Sequence, residues 1–372
     1  MAVHEIRINP ALPLRDEPGT GHNRWHPDIP PVVRCAPGDE VVMETRDAFD
    51  GQMGPDATLK TVEAPNLDLV HPLTGPVYVE GAEPGDLLEI EILEVVPDGY
   101  GYTVQVPGFG FLRDVFPEPF IVRWQLADGW AVSDDLPGVR IPAAPFMGTI
   151  GLAPGHASLS AITAREQAAL SRGGFVLPPS PEGAVPASAA GAAGLRTIPP
   201  REQGGNVDIK QLGAGTRLFV PVDAPGALFS AGDAHFAQGD SEACGTAIEM
   251  NATLRVRFHL HPGEAAAKGI RAPRFTRSDY WVAPAYAAPR RFYATTGMSV
   301  SRDGQVAAED ATLAARNALL DMIDHLGERG WTAQQAYAIC SVAVDLKVSQ
   351  LVDVPSFLVS AFLPEDIFPD GH

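Results

Sequence analysis

Apolar and polar residues alternate along several stretches of the chain, which is the pattern of a strand with one buried face. From Leu87 to Val95, leucine and isoleucine alternate with glutamate, and a shorter strand is predicted from Glu40 to Thr45. The longest alternation runs from Thr246 to Leu260, with Glu249 on its polar side. Because the apolar face of such a strand packs against a second sheet, the pattern predicts layered sheets that hold Glu249 on a rigid element.

Helical periodicity is confined to a few segments. A stripe of apolar residues from Glu309 to Leu326 predicts one helix, and Thr332 is placed to cap a second helix from Ala333 to about Val344. A brief helical pattern occurs at Thr163–Ser171. The pattern becomes extended again from Val354 to Phe362. We therefore predict a C-terminal α/β portion.

Abundant glycine and proline divide most of the chain into short segments, since it contains 37 Gly and 35 Pro. The predicted fold is mainly β with some α, built from β-sandwich, jelly-roll-like layers. Residues 179–194 are rich in Ala, Gly and Pro and are predicted to form a loop or insertion. This segment separates an N-terminal β-rich half, residues 1–178, from a second β-rich half with the acid-rich segment and the C-terminal helices, residues 195–372. We expect the two halves to pack as one unit.

Charge and cysteine content limit the partners and the compartment. The net charge of −19, from 46 acidic and 27 basic residues, disfavours binding to nucleic acid or to an anionic membrane. The three cysteines, Cys35, Cys244 and Cys340, have no paired spacing, which favours a reducing compartment. No signal peptide or apolar run long enough to span a bilayer is visible, so we expect a cytoplasmic protein.

The residues with the clearest chemistry lie between Gly205 and Glu249. Carboxylate oxygens and imidazole nitrogen are ligands for divalent cations, and glycines allow irregular backbone to bring them together. Residues two apart in a strand share a face, so Asp233 and His235 could share one ion, as could Asp240 and Glu242. The alternative is that they are ordinary turn acids and a buried histidine. The candidates are Asp208, Asp233, His235, Asp240, Glu242 and Glu249.

A second polar cluster, His22 to Pro31, contains Trp25 and His26 in a proline-stiffened loop. An aromatic face and an imidazole suit the wall of a small-molecule pocket. A packed loop whose histidines only form hydrogen bonds explains the segment equally well. His71, in a His-Pro pair, is a weaker candidate because that pair often marks the start of a strand.

Cys244 offers a thiol nucleophile as an alternative to activated water. The flanking carboxylates in this segment argue against it, because they raise the pKa of a thiol. No Gly-x-Ser-x-Gly or Gly-x-x-x-x-Gly-Lys motif is present, which removes the usual serine hydrolase and nucleotide-binding routes. A third possibility is a β-sandwich that binds a small polar ligand without catalysis.

Several long blocks of the chain resemble the acetamidase/formamidase family. They are HNRWHPDIPP, HPLTGPVYVEGAEPGDLLEIEI, GTIGLAPG, GGNVDIKQLGAGTRLFVPV, GDAHFAQGDSEACGTAIE and SVAVDLKVSQLVD. The similarity runs in order through nearly the whole chain. It implies an amidase that hydrolyses a small linear carboxamide of the formamide or acetamide class to carboxylate and ammonia, or, alternatively, a hydrolase of a γ-lactam.

The resemblance also implies a metal-dependent site, with Zn²⁺ as the expected ion, and a homo-oligomer. In this reading a carboxylate outside the metal shell moves protons, and Glu242 is the first choice with Glu249 as its alternative. The ligands implied by the resemblance are Asp208, Asp233, His235 and Glu249. The predicted catalytic residues are Glu242, Asp240 and His26. The predicted substrate-binding residues are Trp25, His22 and Asn23.

Overall fold

The structure is a computed structural model that describes residues 1–279, 289 and 291–369. Its strands are β1 Val3–Ile6, β2 Gly21–His22, β3 Arg24–Trp25, β4 Val33–Cys35, β5 Glu40–Thr45, β6 Leu73–Val79, β7 Leu87–Gln105, β8 Phe120–Ala127, β9 Trp130–Val132, β10 Arg140–Pro142, β11 Phe146–Gly151, β12 Leu195–Arg196, β13 Pro200–Arg201, β14 Gly204–Asn206, β15 Arg217–Pro221, β16 Phe229–His235, β17 Glu249–His261, β18 Arg274–Thr276, β19 Phe292–Met298, β20 Asp345–Gln350 and β21 Leu358–Pro364. Its α-helices are α1 Leu59–Glu63, α2 His156–Ser171, α3 Ala189–Ala193, α4 Glu264–Lys268, α5 Ala311–Glu328 and α6 Ala333–Ala343, with 3-10 turns at Leu14–Asp16 and Glu365–Ile367.

The long antiparallel pair of β7 and β17 is the centre of the main sheet. Along one edge, β17 pairs with β7 over its whole length. Along its other edge it pairs with the end of β16 at Glu249 and Met250, and then with β5 from Ala252 onward. The sheet divides where this partner changes from β16 to β5, and the register of β17 with β7 shifts at the same point, between Met250 and Ala252, as at a β-bulge. The start of β17 therefore lies at the junction of several strands.

The strand alternation read from the sequence is confirmed by burial. Ile90 and Ile92 of β7 and Leu254 and Val256 of β17 have no exposed surface, and they belong to the main hydrophobic core. Residues on the other side of β17, such as Arg255, are more exposed. The apolar face of the strand pair thus supplies the core, while Glu249 projects from the opposite face.

A separate, smaller group of hydrophobic side chains lies beside the first part of β17. We call it the Phe49 cluster. Its buried members are Ala48, Phe49, Met53, Ala57, Val62, Val70, Tyr102, Val104, Val106 and Ile121, and the partly buried Leu67, Tyr100, Phe109 and Ile198 pack against them.

The C-terminal portion contains helices α5 and α6 and a three-stranded antiparallel sheet in the order β19, β21, β20. Asp310 caps α5 by accepting a hydrogen bond from the backbone N–H of Leu313. Thr332 caps α6 in a capping box with Gln335. Both predicted helices are present and are confirmed. At each of them the sequence carries an apolar stripe and a capping residue at the N-terminus.

The predicted fold class, mainly β with some α, is confirmed. Two local expectations needed correction. Helix α2 begins at His156, well before the predicted Thr163, and the segment 179–194 includes the short helix α3, capped by Ser188. Among the helices that the structure describes, none is long and apolar enough to cross a membrane.

Candidate active site

Adjacent strands bring the acids of the Gly205–Glu249 segment together. Asp233 and His235 lie two apart on β16, so they share a face, and His235 is paired in register with Glu249 of β17. Asp208 follows β14, and Glu242 lies in the loop between β16 and β17. We call Asp208, Asp233, His235, Glu242 and Glu249 the carboxylate–histidine cluster.

The imidazole of His235 is at the centre of this cluster. Its Nε2 lies 3.2 Å from Glu249 Oε2, 3.4 Å from Asp233 Oδ1 and 3.9 Å from Glu242 Oε1. Its Nδ1 lies 2.9 Å from Oε1 of Gln238, whose amide nitrogen donates to the carbonyl of Asp208. Because that Oε1 only accepts, Nδ1 is the donor, and in the neutral ring the lone pair of Nε2 faces the carboxylates.

Several buried ligand atoms of the cluster have no hydrogen-bond partner among the described residues. They are Asp208 Oδ1, His235 Nε2 and Glu249 Oε2. The short contacts of His235 Nε2 therefore lack hydrogen-bond geometry. Ligand atoms lie within 4.8 Å of one another in two overlapping groups, Asp208–His235–Glu242 and Asp233–His235–Glu249. Oxygen and imidazole donors that converge without other partners fit a divalent cation.

The protonation equilibria of the cluster reflect an excess of buried acid. Burial, together with neighbouring carboxylates, raises the pKa of Asp208 well above its usual value, that of Glu242 to about 8 and that of Glu249 to about 7. Burial would also raise the pKa of Asp233, but His71 and His235 outweigh it and lower that pKa. Burial opposes the charged form of His235, yet Glu249 and Asp233 raise its pKa well above the usual value. Within the cluster, the imidazole of His235 faces four acids, and His71 lies beside one of them, Asp233.

The backbone is strained at the residues that supply these acids. Asp208, Asp233 and Glu242 have φ values of 47°, 57° and 40°, in the left-handed region that side-chain-bearing residues seldom adopt. Such conformations cost on the order of 1–3 kcal/mol each and persist where the surrounding structure imposes them, which is common at functional sites.

Gly148 of β11 lies directly against the cluster. A Cβ atom at this position would stand 2.7 Å from Asp208 Oδ1, 2.7 Å from Cε1 of His235 and 2.9 Å from Asp233 Oδ2. The neighbouring Thr149 hydroxyl lies 3.1 Å from Asp233 Oδ2 and 2.8 Å from the side-chain oxygen of Asn206. Strand β11 thus leaves space for the acids on one side and orients one of them.

A cavity of about 180 Å³ opens onto the cluster. Its polar lining includes Asn206, His71 and four acids of the cluster. His71 Nε2 lies 4.0 Å from Asp233 Oδ2, and its buried Nδ1 has no hydrogen-bond partner within the described structure. Little in the sequence favours His71, because its proximity to Asp233 is a contact across more than 160 residues.

The residues predicted from the His22–Pro31 segment lie elsewhere. His22 is buried and contacts Ser230 at 2.8 Å, and Asn23 holds the backbone of residues 183 and 185. Trp25 packs in a hydrophobic cluster with Leu73, Leu159, Ile162 and Leu195. His26 lies beside Asp28 and His156, with its ring 5.8 Å from that of His156. None of the four is among the described residues that line the cavity.

Asp240 is also outside the cavity, although it is only two residues from Glu242. Its side chain is 40% exposed and lies 3.6 Å from Lys210, and its backbone N–H donates to Asp345. Asp240 therefore fastens the loop that carries Glu242, and the structure does not bring its carboxylate to the cluster.

Comparisons with known proteins find relatives over nearly the whole chain. Residues 7–370 match the Acetamidase/Formamidase family. The chain is 38% identical to an acetamidase of Mycolicibacterium smegmatis, over 88% of this chain and 86% of the relative. It is 35% identical to a formamidase of Methylophilus methylotrophus, over 95% of this chain and 90% of the relative.

A solved structure described as a gamma lactamase from Delftia acidovorans superposes with a TM-score of 0.93 at 34% sequence identity, covering 99% of this chain and 93% of that one. The match thus includes the strands that carry the cluster as well as the C-terminal helices. On these grounds the chain belongs to the acetamidase/formamidase family, and it is an amidase.

Proposed function

We propose that this amidase hydrolyses the C–N bond of a small uncharged carboxamide, of the formamide or acetamide type, to a carboxylate and ammonia, in the cavity beside the carboxylate–histidine cluster. The observation that carries the proposal is the convergence of unpartnered, buried ligand atoms on the floor of that cavity. An amide is a poor electrophile with a poor leaving group, so its hydrolysis needs carbonyl polarisation, an activated water and a proton donor.

We assign Asp208, Asp233, His235 and Glu249 as the residues that hold a divalent cation, with Zn²⁺ as the expected ion. One imidazole and several carboxylates form a donor set that Zn²⁺ accepts. When bound, such a cation supplies a Lewis acid for the amide carbonyl and makes water more acidic. Gln238 fixes the tautomer of His235, so the lone pair of Nε2 faces the carboxylates, where it would be available to a cation.

Glu242 is assigned as the group that moves protons. Its side chain is 17% exposed, compared with 4% for Asp233 and 2% for Glu249, so it is the most accessible of these three to water and substrate. It is also the farthest of the three from His235 Nε2. In its ionised form Glu242 accepts a proton from the attacking water, and the resulting carboxylic acid delivers it to the departing nitrogen. His71, with an unpartnered Nδ1 at the cavity, is placed to hydrogen-bond the amide group.

Cys244 is a poor candidate for the nucleophile. Its buried thiol lies 3.6 Å from the backbone oxygens of Val104 and Thr246, which are acceptors for the thiol proton. Burial raises the pKa of the thiol to about 11, so the reactive thiolate is scarce at neutral pH. Activity that survives Cys244→Ala and is abolished by a strong chelator would exclude the thiol route.

A cyclic amide is the second candidate substrate. The solved neighbour with a TM-score of 0.93 is described as a gamma lactamase. Opening a lactam breaks the same bond and needs the same groups, but it yields a primary amine on the product and no free ammonia. Detection of ammonia or of a primary amine therefore distinguishes the two activities.

The test combines metal analysis with a substrate panel. Purified protein reconstituted with Zn²⁺ is assayed for ammonia release from formamide, acetamide and propionamide, and for primary amine from a bicyclic γ-lactam. We expect His235→Ala to lose bound metal and turnover together. His4→Ala, a matched change of a histidine that lies beside Asp39 and outside the cavity, is expected to keep both. Turnover that persists in metal-free protein, or in His235→Ala, would refute the metal assignment.

A further inference from the structure

The cavity has a continuous apolar wall. Eight of its lining residues, Ala48, Phe49, Leu67, Val70, Val104, Val106, Phe109 and Ile198, all belong to the Phe49 cluster or pack directly against it. They come from different parts of the chain but form one hydrophobic unit that is separate from the main core. A substrate that reaches the carboxylate–histidine cluster is therefore in contact with a single large apolar surface.

The remaining polar groups of the lining do not make this wall hydrophilic. The hydroxyl of Thr246 donates to the carbonyl of Val104 at 2.8 Å, and the thiol of Cys244 lies against the same carbonyl. Both side chains thus direct their polar atoms to the backbone of β7. The other polar residues of the lining, namely Asn206, His71 and the four acids, lie around the carboxylate–histidine cluster. The amide group itself must bind there.

The volume of the cavity sets the size of the group that it takes. An engineered apolar cavity of about 150 Å³ binds benzene, whereas pockets for drug-sized ligands start at about 300 Å³. At about 180 Å³ the cavity is large enough for a ring of six carbons and too small for a peptide. Formamide or acetamide would leave most of the apolar wall without contact.

The charge of the lining limits the substrate further. The residues that line the cavity in the described structure include several carboxylates and neither lysine nor arginine. The assigned metal ion serves the amide group, so a second carboxylate on the acyl part would meet the acids without a compensating lysine or arginine beside it. The carboxylates thus disfavour an anionic acyl group, and the apolar wall would desolvate a charge of either sign, so the acyl group that fits is uncharged.

From these observations we infer that the preferred substrate is an uncharged amide whose acyl part is a branched or cyclic hydrocarbon group of about five to seven carbons, seated on the Phe49 cluster. The inference rests on the proposed function, since it assumes that the amide group is hydrolysed at the carboxylate–histidine cluster. It also applies to a bicyclic γ-lactam, whose hydrocarbon frame has the same chemistry.

The first experiment compares kcat/KM of the metal-loaded protein for cyclohexanecarboxamide, benzamide, acetamide and succinamate, and for a bicyclic γ-lactam with amine detection. Each buried methylene is expected to raise kcat/KM about fourfold, so a ring amide or the lactam should exceed acetamide by at least about tenfold. Succinamate, with its carboxylate, should have the lowest kcat/KM of the four primary amides.

The possible results separate the inference from the proposed function. If acetamide gives a higher kcat/KM than the ring amides and the lactam, the inference is overturned while the proposed function stands. If no amide, open or cyclic, is hydrolysed by the metal-loaded protein, both are overturned. If the lactam gives a higher kcat/KM than the ring amides and acetamide, the inference is supported, and the preferred hydrocarbon group is then carried by a cyclic amide.

A pair of variants tests the location of the acyl group. Ile198 is partly buried in the apolar wall, so the larger side chain of Ile198→Phe should fill part of the cavity. The ratio of kcat/KM for cyclohexanecarboxamide to kcat/KM for acetamide should then fall by at least about tenfold. Leu351→Phe, at a residue 45% exposed and outside the cavity, should leave the ratio unchanged. The ratio does not depend on the folded fraction, and an unchanged ratio in Ile198→Phe would contradict the placement.

Discussion

At the residue scale, small differences in position decide what each acid can do. Asp240 and Glu242 are two residues apart, yet one lies beside Lys210 at the surface and the other lies within 3.9 Å of His235 Nε2. The positive φ of Ser241 and Glu242 turns the chain between them. A regular strand would have placed both side chains on the same face, and this turn separates them.

Gly148→Ala is predicted to inactivate the enzyme. Its added methyl group would stand less than 3 Å from three atoms of the cluster, so Asp208, Asp233 or His235 must move. We expect loss of bound metal and at least a hundredfold lower kcat, on the order expected for displaced catalytic groups. The control is Gly99→Ala, because a Cβ there meets nothing within 4 Å. Metal content and kcat are measured, and near-native values for Gly148→Ala would show that the cluster tolerates displacement.

Glu242→Gln is predicted to lower kcat by about 10²–10⁴-fold, because an amide of the same shape cannot carry the proton. Metal content and the circular dichroism spectrum should stay as in the parent protein. Glu202→Gln removes an exposed carboxylate that pairs with Arg165, and it serves as the control. Loss of metal in Glu242→Gln would instead identify this residue as a ligand, and undiminished turnover would remove it from the mechanism.

At the element scale, helix α6 holds the loop that carries Glu242. The backbone N–H of Gly239 donates to the carbonyl of Ser341, and that of Cys244 donates to the Ser341 hydroxyl at 3.0 Å. The same hydroxyl donates to the carbonyl of Thr246 at 2.7 Å. The C-terminal helices therefore stabilise the site from outside the sheet, although they contribute no lining residue to the cavity among those that the structure describes.

Ser341→Ala is predicted to destabilise the fold by about 1–3 kcal/mol, because the buried N–H of Cys244 loses its partner and the carbonyl of Thr246 keeps only the weaker contact with the Cys244 thiol. A freer Glu242 loop should also lower kcat with little change in KM. Denaturant unfolding and steady-state kinetics measure the two effects. Ser160→Ala, on the exposed side of α2, is the control. If stability falls and kcat is unchanged, the helix supports the fold without positioning Glu242.

At the scale of the whole molecule, the cluster is assembled from strands that are far apart in the chain. Strands β16 and β17 supply three of its members, and Gly148 of β11 leaves room for their side chains. The loop before β6 places His71 beside the cluster. Because the acids are buried and outnumber the imidazole, their mutual repulsion opposes folding until a cation binds. Metal affinity and global stability are therefore expected to be linked.

Binding of Zn²⁺ is predicted to raise the melting temperature. A ligand present at 100 times its dissociation constant adds about 2.7 kcal/mol to the free energy of unfolding when it binds only the folded state. Thermal unfolding of chelator-treated protein is compared with and without added Zn²⁺, and a shift of several degrees is expected. His235→Ala should show no such shift. An equal shift in both proteins would mean that the ion stabilises some other site.

The extent of successful prediction differs between the fold and the site. Periodicity and caps were sufficient for α5, α6 and the face of β17 that enters the core, because these depend on residues a few positions apart. Spacing also placed Asp233 and His235 on one face. The His22–Pro31 segment shows the limit: its composition suited a pocket wall, but Trp25 packs against Leu73 and Leu195 instead. Only long-range packing decides between these outcomes.

The sequence by itself therefore determined the mainly β architecture, the C-terminal helices and the acid-rich segment with its chemistry, since periodicity and side-chain type are local properties. The tertiary structure decided which acids meet around His235, that His71 and Gly148 adjoin them and that Asp240 does not. It also formed the apolar wall from residues between Ala48 and Ile198. These relations depend on strand register and on the division of the sheet at β17, which arise only when distant segments pair.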